Sequence, residues 1–182
     1  MNVSPELDAR FRTAALAEGI VDVRYDVVAS PVGDLLIAAT DRGLARIHFD
    51  SDGQEEVLAR IFGNRVLRAP IDEVRRELDE YFEGRRRDFD LALDLRVIPF
   101  NAEVLGELAR VPYGTTTTYG ALAAKVGRPG AARAIGTVMN RNPSPIVLPC
   151  HRVIGANGSL TGYGGGLDRK LQLLQLEGAI LA

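Results

Sequence analysis

Pro149-Cys150-His151-Arg152 is the most chemically loaded stretch of this 182-residue chain. Cys150 is its only cysteine, and His151 is one of two histidines. A thiolate is the working nucleophile of cysteine chemistry, and a nearby base or cation raises its population near neutral pH. A lone cysteine is more often a small buried hydrophobe, so the flanks decide. Upstream, Ser144-Pro145-Ile146-Val147-Leu148 is a proline-bracketed apolar lead that would hold the thiol in one place. Downstream, Gly162-Tyr163-Gly164-Gly165-Gly166 lets a backbone approach a flat ligand closely, with the Tyr163 ring and hydroxyl at hand.

The segment before the thiol reads as paired helices. Thr118 can cap a helix from Tyr119 to about Val126, Gly127-Arg128-Pro129-Gly130 turns, and Ala131 to Asn140 forms a second helix, closed by Asn142-Pro143. This fits a helix-turn-helix, and equally an ordinary helical hairpin. Ala131, Ala132, Ala134, Gly136 and Thr137 are small, with Arg133 the one long cation among them. Such a slim face suits close approach to a minor groove, with one arginine able to enter the groove or the base stack. It suits packing against another helix as well. A further helical face, Phe100, Val104, Leu105 and Leu108, precedes Val111-Pro112-Tyr113-Gly114, and the last helix runs from Leu167 to Leu176.

The first half carries β patterning. Val23 to Val28 alternates, Ser30-Pro31-Val32-Gly33 turns, Leu35 to Ala39 is a buried run, and Leu44 to Phe49 alternates again after Asp41-Arg42-Gly43. Three strands with short turns predict an antiparallel meander. His48, in the last strand, reads as a structural or surface histidine. Helical spacing marks 54–62 and 71–82, and Arg85-Arg86-Arg87 suits a helix C-terminus. Ser4-Pro5-Glu6 starts a helix to about Glu18. Leu91 to Ile98 reads as an extended connection. The division expected is 1–22 as an extension, 23–90 as an α/β domain, 91–98 as a linker and 99–182 as a second domain.

Composition is that of a globular protein, 46% apolar and 25% charged. The longest apolar runs are too short to cross a bilayer, so no membrane partner is expected. The N-terminus lacks a signal-peptide pattern, and a single cysteine makes no internal disulfide. One Cys and two His fall short of a typical structural zinc site. A cytoplasmic location fits. The net charge of −2 hides a division. Residues 1–98 hold 14 Lys and Arg against 20 Asp and Glu, and residues 99–182 hold 8 against 4. A polyanion would therefore meet the second half.

Taken together, these residues resemble the O6-alkylguanine-DNA alkyltransferase family of DNA-repair proteins. The resemblance is carried by Ile98-Pro99-Phe100, Val111-Pro112-Tyr113-Gly114, Tyr119-Gly120-Ala121-Leu122-Ala123, Ala131-Ala132-Arg133-Ala134-Ile135-Gly136, Asn142-Pro143 and Pro149 to Gly155. Gly162 to Leu167 and Glu177-Gly178 complete it, and Ser30 to Leu36 with Thr40 to Leu44 match more loosely. The resemblance implies an α/β N-terminal domain with an RNase H-like antiparallel sheet, and a mainly α C-terminal domain with a helix-turn-helix. It implies a suicide S-methyltransferase that moves a methyl or alkyl group from O6 of guanine, or O4 of thymine, to Cys150.

The resemblance also assigns roles. His151 would deprotonate Cys150 through a water, Glu177 would steady the imidazolium, and Tyr119 would protonate the departing guanine. The water is expected because neighbouring side chains on an extended backbone point apart. Tyr163 and the Gly164 N–H would support O6, and the Cys150 and Val153 carbonyls would accept from the exocyclic amine, with Pro149 beside this base pocket. Asn142 would brace the turn before the active-site strand. Ala131, Ala132, Arg133 and Ala134 of the recognition helix would enter the minor groove, joined by Thr118, Tyr119 and Arg141, and Arg133 would fill the space left by the flipped base. The expected partner is double-stranded DNA containing O6-alkylguanine, met by a monomer with cooperative binding along DNA left open; neither cofactor nor metal is expected.

Three departures stand out: Leu105 replaces a tryptophan of many relatives, Gly164 replaces a serine of some, and no N-terminal zinc site can be built. Two other functions compete with alkyl transfer. One is a helix-turn-helix protein that binds damaged DNA or senses alkylation through Cys150. The other is a cysteine hydrolase using Cys150, His151 and Glu177, which would leave Arg133 and its small-faced helix without a role.

Overall fold

The computed structural model describes residues 4–180. Helix α1 (Pro5–Ala17) is capped by the Ser4 side chain, which accepts from the Leu7 N–H at 3.2 Å. The sheet follows, with β1 (Val23–Val28), β2 (Leu35–Thr40), β3 (Gly43–His48) and, after α2 (Gln54–Phe62), β4 (Val66–Arg68). Its order is β3-β2-β1-β4. The three-stranded meander is antiparallel as expected, but β4 adds a fourth strand, parallel to β1. Three residues are too few to show a two-residue period, so nothing in Val66-Leu67-Arg68 announces a strand.

Every residue of β2 is buried because both faces of the sheet are covered. One face packs Val23, Tyr25, Leu36 and Ala38 against Leu58 and Phe62 of α2. The other packs Leu35, Ile37 and Ile47 against Val74, Leu78 and Tyr81 of α3 (Asp72–Phe82), and it also takes Ile146 and Leu173 from the second half. The two halves of the chain therefore share a core.

Segment 91–98 is extended, as expected, and it is also stitched to the sheet. Leu44 N–H donates to the Ala92 carbonyl at 2.8 Å, and Asp94 N–H donates to the Leu44 carbonyl at 2.9 Å. This approach requires glycine at position 43, where φ is +132° and a Cβ would lie 2.2 Å from the Ala92 carbonyl oxygen.

Beyond it come α4 (Pro99–Ala109), β5 (Thr117–Thr118), α5 (Tyr119–Lys125), α6 (Ala132–Asn140), β6 (Val153–Ile154) and α7 (Leu167–Leu176). Leu105 and Leu108 of α4, Leu122 of α5 and Ile135, Val138 and Met139 of α6 close a second core that includes Cys150 and Val153. The pair α5–α6 is the expected helix-turn-helix, with Thr118 capping α5 through its hydroxyl. Ala131 stands at the N-cap of α6 rather than inside it.

Candidate active site

Cys150 begins a 3-10 turn, Cys150–Arg152, and not an extended strand. The turn is fixed by Cys150 N–H donating to the Leu148 carbonyl at 2.8 Å and Arg152 N–H to the Pro149 carbonyl at 2.9 Å. Strand alternation therefore cannot be what separates the thiol from the imidazole. The lead into the turn carries Ile146 at φ +77°, the only non-glycine residue with positive φ among the described residues. For a β-branched side chain that conformation costs about 1–3 kcal/mol. Burial of Ile146 in the first core holds it.

Behind the turn, Glu177 gathers five hydrogen bonds. Its Oε1 accepts from His151 Nε2–H, Arg152 Nη2 and the Tyr81 hydroxyl, each at 2.8 Å. Its Oε2 accepts from Arg152 Nε at 2.8 Å and the Gly114 N–H at 3.2 Å. Arg152 also donates to the Val111 carbonyl at 2.6 Å and lies over the Tyr113 ring. Burial alone would push the Glu177 carboxyl up, but the hydrogen bonds and charge of His151 and Arg152 outweigh it and hold the group at about 2. Burial pushes His151 down, against the pull of Glu177. The pair is therefore a carboxylate and a neutral imidazole. A carboxylate only accepts, so the proton sits on Nε2 and Nδ1 keeps a bare lone pair. That Nδ1 is buried with no hydrogen-bond partner among the described residues.

The thiol departs from expectation. Burial pushes Cys150 up to about 11, and neither hydrogen bonding from Asn142 nor the charge of Lys170 offsets it. At neutral pH it is a thiol beside a potential base, not a standing thiolate. Lys170 is fully buried, and burial lowers it to about 8. Its Nζ donates to the carbonyls of Val153 at 2.5 Å and Thr161 at 2.7 Å, tying the 153–162 loop to α7.

Cys150 opens onto a cavity of about 500 Å³, lined also by Asn142, Pro145, Tyr163 and Gly164, with Met139, Asn140 and Arg141 from the end of α6. The Tyr163 hydroxyl is buried without a partner among the described residues. Asn142 Nδ2 donates to the Leu148 carbonyl at 2.7 Å and its Oδ1 accepts from the Ser144 N–H at 3.1 Å.

One member of the expected base pocket lies elsewhere, and a second has its carbonyl partly engaged. Pro149 lines a separate cleft with Arg87, Phe89 and Arg152, because the 3-10 turn aims it away from the thiol; Pro145 stands in the cavity instead. Val153 is fully buried in the second core, and its carbonyl already accepts from Lys170. The Cys150 carbonyl accepts from the Val153 N–H. Each of these carbonyls retains a second lone pair.

Tyr119, half-buried, packs on Gly136, and its hydroxyl donates to the Thr161 carbonyl at 3.0 Å. On the outer face of α6, Arg133 and Ala134 are exposed and Ala131 and Ala132 are half-buried. The Arg133 and Arg141 side chains make no hydrogen bond or ion pair with described residues. Thr118 is half-buried, its hydroxyl committed to the α5 cap. His48 bonds through Nδ1 to the backbone of Asp50. The residues that sequence reading missed are Tyr81, Arg152 and Lys170.

Residues 23–95 match the family model described as the ribonuclease-like domain of 6-O-methylguanine DNA methyltransferase, and residues 99–179 match its DNA binding domain. A methylated-DNA–protein-cysteine methyltransferase of Mycolicibacterium paratuberculosis is 45% identical over 156 residues, 85% of this chain and 92% of the relative. The Methanosarcina barkeri protein of the same name is 40% identical over 162 residues, 84% of this chain and 96% of the relative. The crystal structure of Mycobacterium tuberculosis O6-methylguanine methyltransferase superposes with a TM-score of 0.77 at 39% identity, covering 86% of this chain and 93% of that one. A crystal structure of Mycobacterium tuberculosis OGT in complex with DNA gives the same values. With both halves matched, and relatives of this identity spanning most of its length, the chain belongs to the 6-O-methylguanine DNA methyltransferase family.

Proposed function

We propose that the protein repairs alkylated DNA by direct reversal, taking the alkyl group from O6 of guanine, or O4 of thymine, onto Cys150 in a single turnover. The observation that carries this reading is the pairing of a cavity-lining thiol with an imidazole whose Nε2–H is committed to the Glu177 carboxylate. The unpartnered Nδ1 is left as the base, and a bridging water at that polar site connects it to the thiol. Deprotonation makes an imidazolium that Glu177 stabilises. The sulfur then attacks the alkyl carbon in line, the C–S bond forms and the C–O6 bond breaks. Guanine leaves as its ring nitrogen takes a proton from Tyr119, whose hydroxyl exchanges its hold on the Thr161 carbonyl for the base. Tyr119 regains a proton from solvent and the imidazolium gives one up, so the proton lost by the thiol balances the one gained by guanine. The buried Tyr163 hydroxyl and the Gly164 N–H support O6 as charge develops. A thioether does not hydrolyse under mild conditions, so the protein is consumed.

The substrate is duplex DNA, and the target atom is out of reach inside the stack, so the base must be flipped. Arg133, exposed on a slim helix and without a partner among the described residues, fills the gap, while Ala131, Ala132 and Ala134 let α6 lie close to the minor groove. Thr118, Tyr119 and Arg141 flank that face. The protein acts as a monomer in the cytoplasm; among the described residues no helix is long and apolar enough to cross a membrane.

The test is to mix the protein with duplex oligonucleotide bearing O6-methylguanine, digest it and weigh the peptide containing Cys150. A gain of one methyl per protein is expected. Tight binding with no gain in mass would replace this reading with that of a damage-binding protein.

A further inference from the structure

The first half of the chain is acidic in sum, yet β3 brings Arg46 to the rim of the cavity before Cys150. Arg141 and Arg169 reach the same cavity from the second half, and the one carboxylate lining it is that of Asp50. Among the described residues, none of these three arginines forms an ion pair. Arg169 is already engaged: its guanidinium donates to the carbonyls of Val32 at 2.7 Å and Gly165 at 3.0 Å and lies over the Phe49 ring. His48, two residues along β3, is turned through Nδ1 onto the backbone of Asp50.

Arg46 is different. It is half-buried on an edge strand, since β3 ends the sheet order. Its Nε donates to the Gln54 side chain at the start of α2, at 3.2 Å, and its two terminal nitrogens have no partner among the described residues. Burial lowers its pKa below the ordinary arginine value, and no carboxylate pulls it back. A partly desolvated cation without a counterion carries a cost that an anion from outside would offset.

The place of the rim decides which anion. To present O6 to Cys150, the target nucleotide must rotate out of the duplex about its backbone. Its own phosphates then lie at the mouth of the cavity that the base has entered. The end of α6 forms one wall of that cavity, through Met139, Asn140 and Arg141. The end of β3 forms another, tied to the active-site lead by the Ile47 N–H donating to the Pro143 carbonyl at 2.9 Å.

We propose that Arg46 is a DNA-binding residue, a site on the N-terminal sheet for a phosphate flanking the extruded nucleotide. The proposal rests on the alkyl-transfer reading above, and it extends the DNA contact from the helix-turn-helix to both halves of the chain. The terminal nitrogens of the guanidinium take the phosphate oxygens while Nε keeps its hold on Gln54. The contact exists only after the base has left the stack, so it favours the flipped state over the intact duplex. Arg133 fills the gap inside the helix, and Arg46 holds the strand outside it.

The experiment measures the second-order rate constant of transfer from two duplex oligonucleotides bearing O6-methylguanine. One has an ordinary backbone; the other carries uncharged methylphosphonates at the two phosphates flanking the lesion. The unaltered protein should react about tenfold more slowly with the second, the loss of a charge-assisted contact. Arg46→Gln should be about tenfold slower than the unaltered protein on the first duplex and lose little more on the second. In Arg46→Glu, which would repel a phosphate, the neutral backbone should be the faster substrate. Equal slowing of all three proteins by the methylphosphonates would overturn the role of Arg46 and leave the alkyl-transfer reading standing. An Arg46→Gln rate on the charged duplex equal to that of the unaltered protein would overturn it as well. No transfer from either duplex by the unaltered protein would sink the alkyl-transfer reading and this proposal together.

Discussion

The two sides of Cys150 are built on opposite plans. Behind it, Glu177 takes five hydrogen bonds, the Arg152 guanidinium is enclosed, and donors converge from three separate parts of the chain. On the outer face of α6 and at its C-cap, Arg133 and Arg141 are exposed, without hydrogen-bond or ion-pair partners among the described residues. A buried charge must be compensated inside the protein, because nothing outside can reach it. An exposed cation can wait for its counterion. The first arrangement is organised before any substrate arrives, while the second is completed only by a polyanion. This contrast separates mutations that cost stability and chemistry from those that cost recognition alone.

The largest effect should come from Glu177→Gln. The substitution leaves Arg152 buried without its anion and one acceptor oxygen where the donors of His151, Arg152, Tyr81 and Gly114 had two, and breaking such an arrangement costs about 3–5 kcal/mol. Denaturant unfolding should show that loss, with alkyl transfer falling alongside. The same network sets the acid response. His151 is pushed below its ordinary 6.5 and Glu177 lies at about 2, below its ordinary 4.5. Both are depressed, so each contributes stability that is present above its unfolded value and lost as pH falls. Stability should begin to drop below about 6.5 through His151, and again between about 4.5 and 2 through Glu177. A melting temperature flat from pH 7 to 3 would contradict this.

Arg133→Ala should leave the buried network intact. Repair of O6-alkylguanine in duplex should slow by about tenfold or more, the loss of a group that offsets a few kcal/mol of unstacking. Attack on free O6-benzylguanine, which needs no flipping, should change little. Equal losses on both substrates would place Arg133 in the chemistry and erase the contrast.

Tyr81→Phe is the subtlest probe. Removing one donor from Glu177 Oε1 leaves two others there and a hole no larger than an oxygen, so transfer should change only a few-fold, about 1 kcal/mol. The freed oxygen becomes a better acceptor for His151, the imidazolium is favoured, and the acid limb of the transfer rate should move to higher pH. A purely structural tyrosine would lower the melting temperature and leave that limb where it was.

Residue chemistry alone marked Cys150 and His151, and family resemblance placed Glu177 with them. Their supporting shell was not legible, for physical reasons. Tyr81 lies 96 residues from Glu177 and, at a helical apolar position, looks like one more core aromatic. Lys170 is a residue type almost never fully buried, and only the folded loop supplies the carbonyls that hold it. Arg152 stood inside the motif, but nothing local shows that it turns inward to Glu177. That Pro145 rather than Pro149 lines the cavity depends on the 3-10 turn and on the left-handed Ile146, which no periodicity reveals. The meander and the helices at 54–62 and 72–82 were readable because their patterns run long enough to show a period. The parallel β4 was not, since its pairing is long-range and its length is three residues.

Ile146 and Leu173 lodge in the core under the sheet, and the Tyr81 hydroxyl reaches Glu177 from the other half of the chain. The alkyl-accepting half is consequently not a portable module. Grafting residues 99–182 onto a foreign partner would uncover two apolar anchors and strip one donor from the carboxylate that steers the imidazole. It would also release the packing that holds Ile146 in its strained conformation, four residues before the thiol. Engineering of this scaffold has to treat the sheet as part of the active site's foundation.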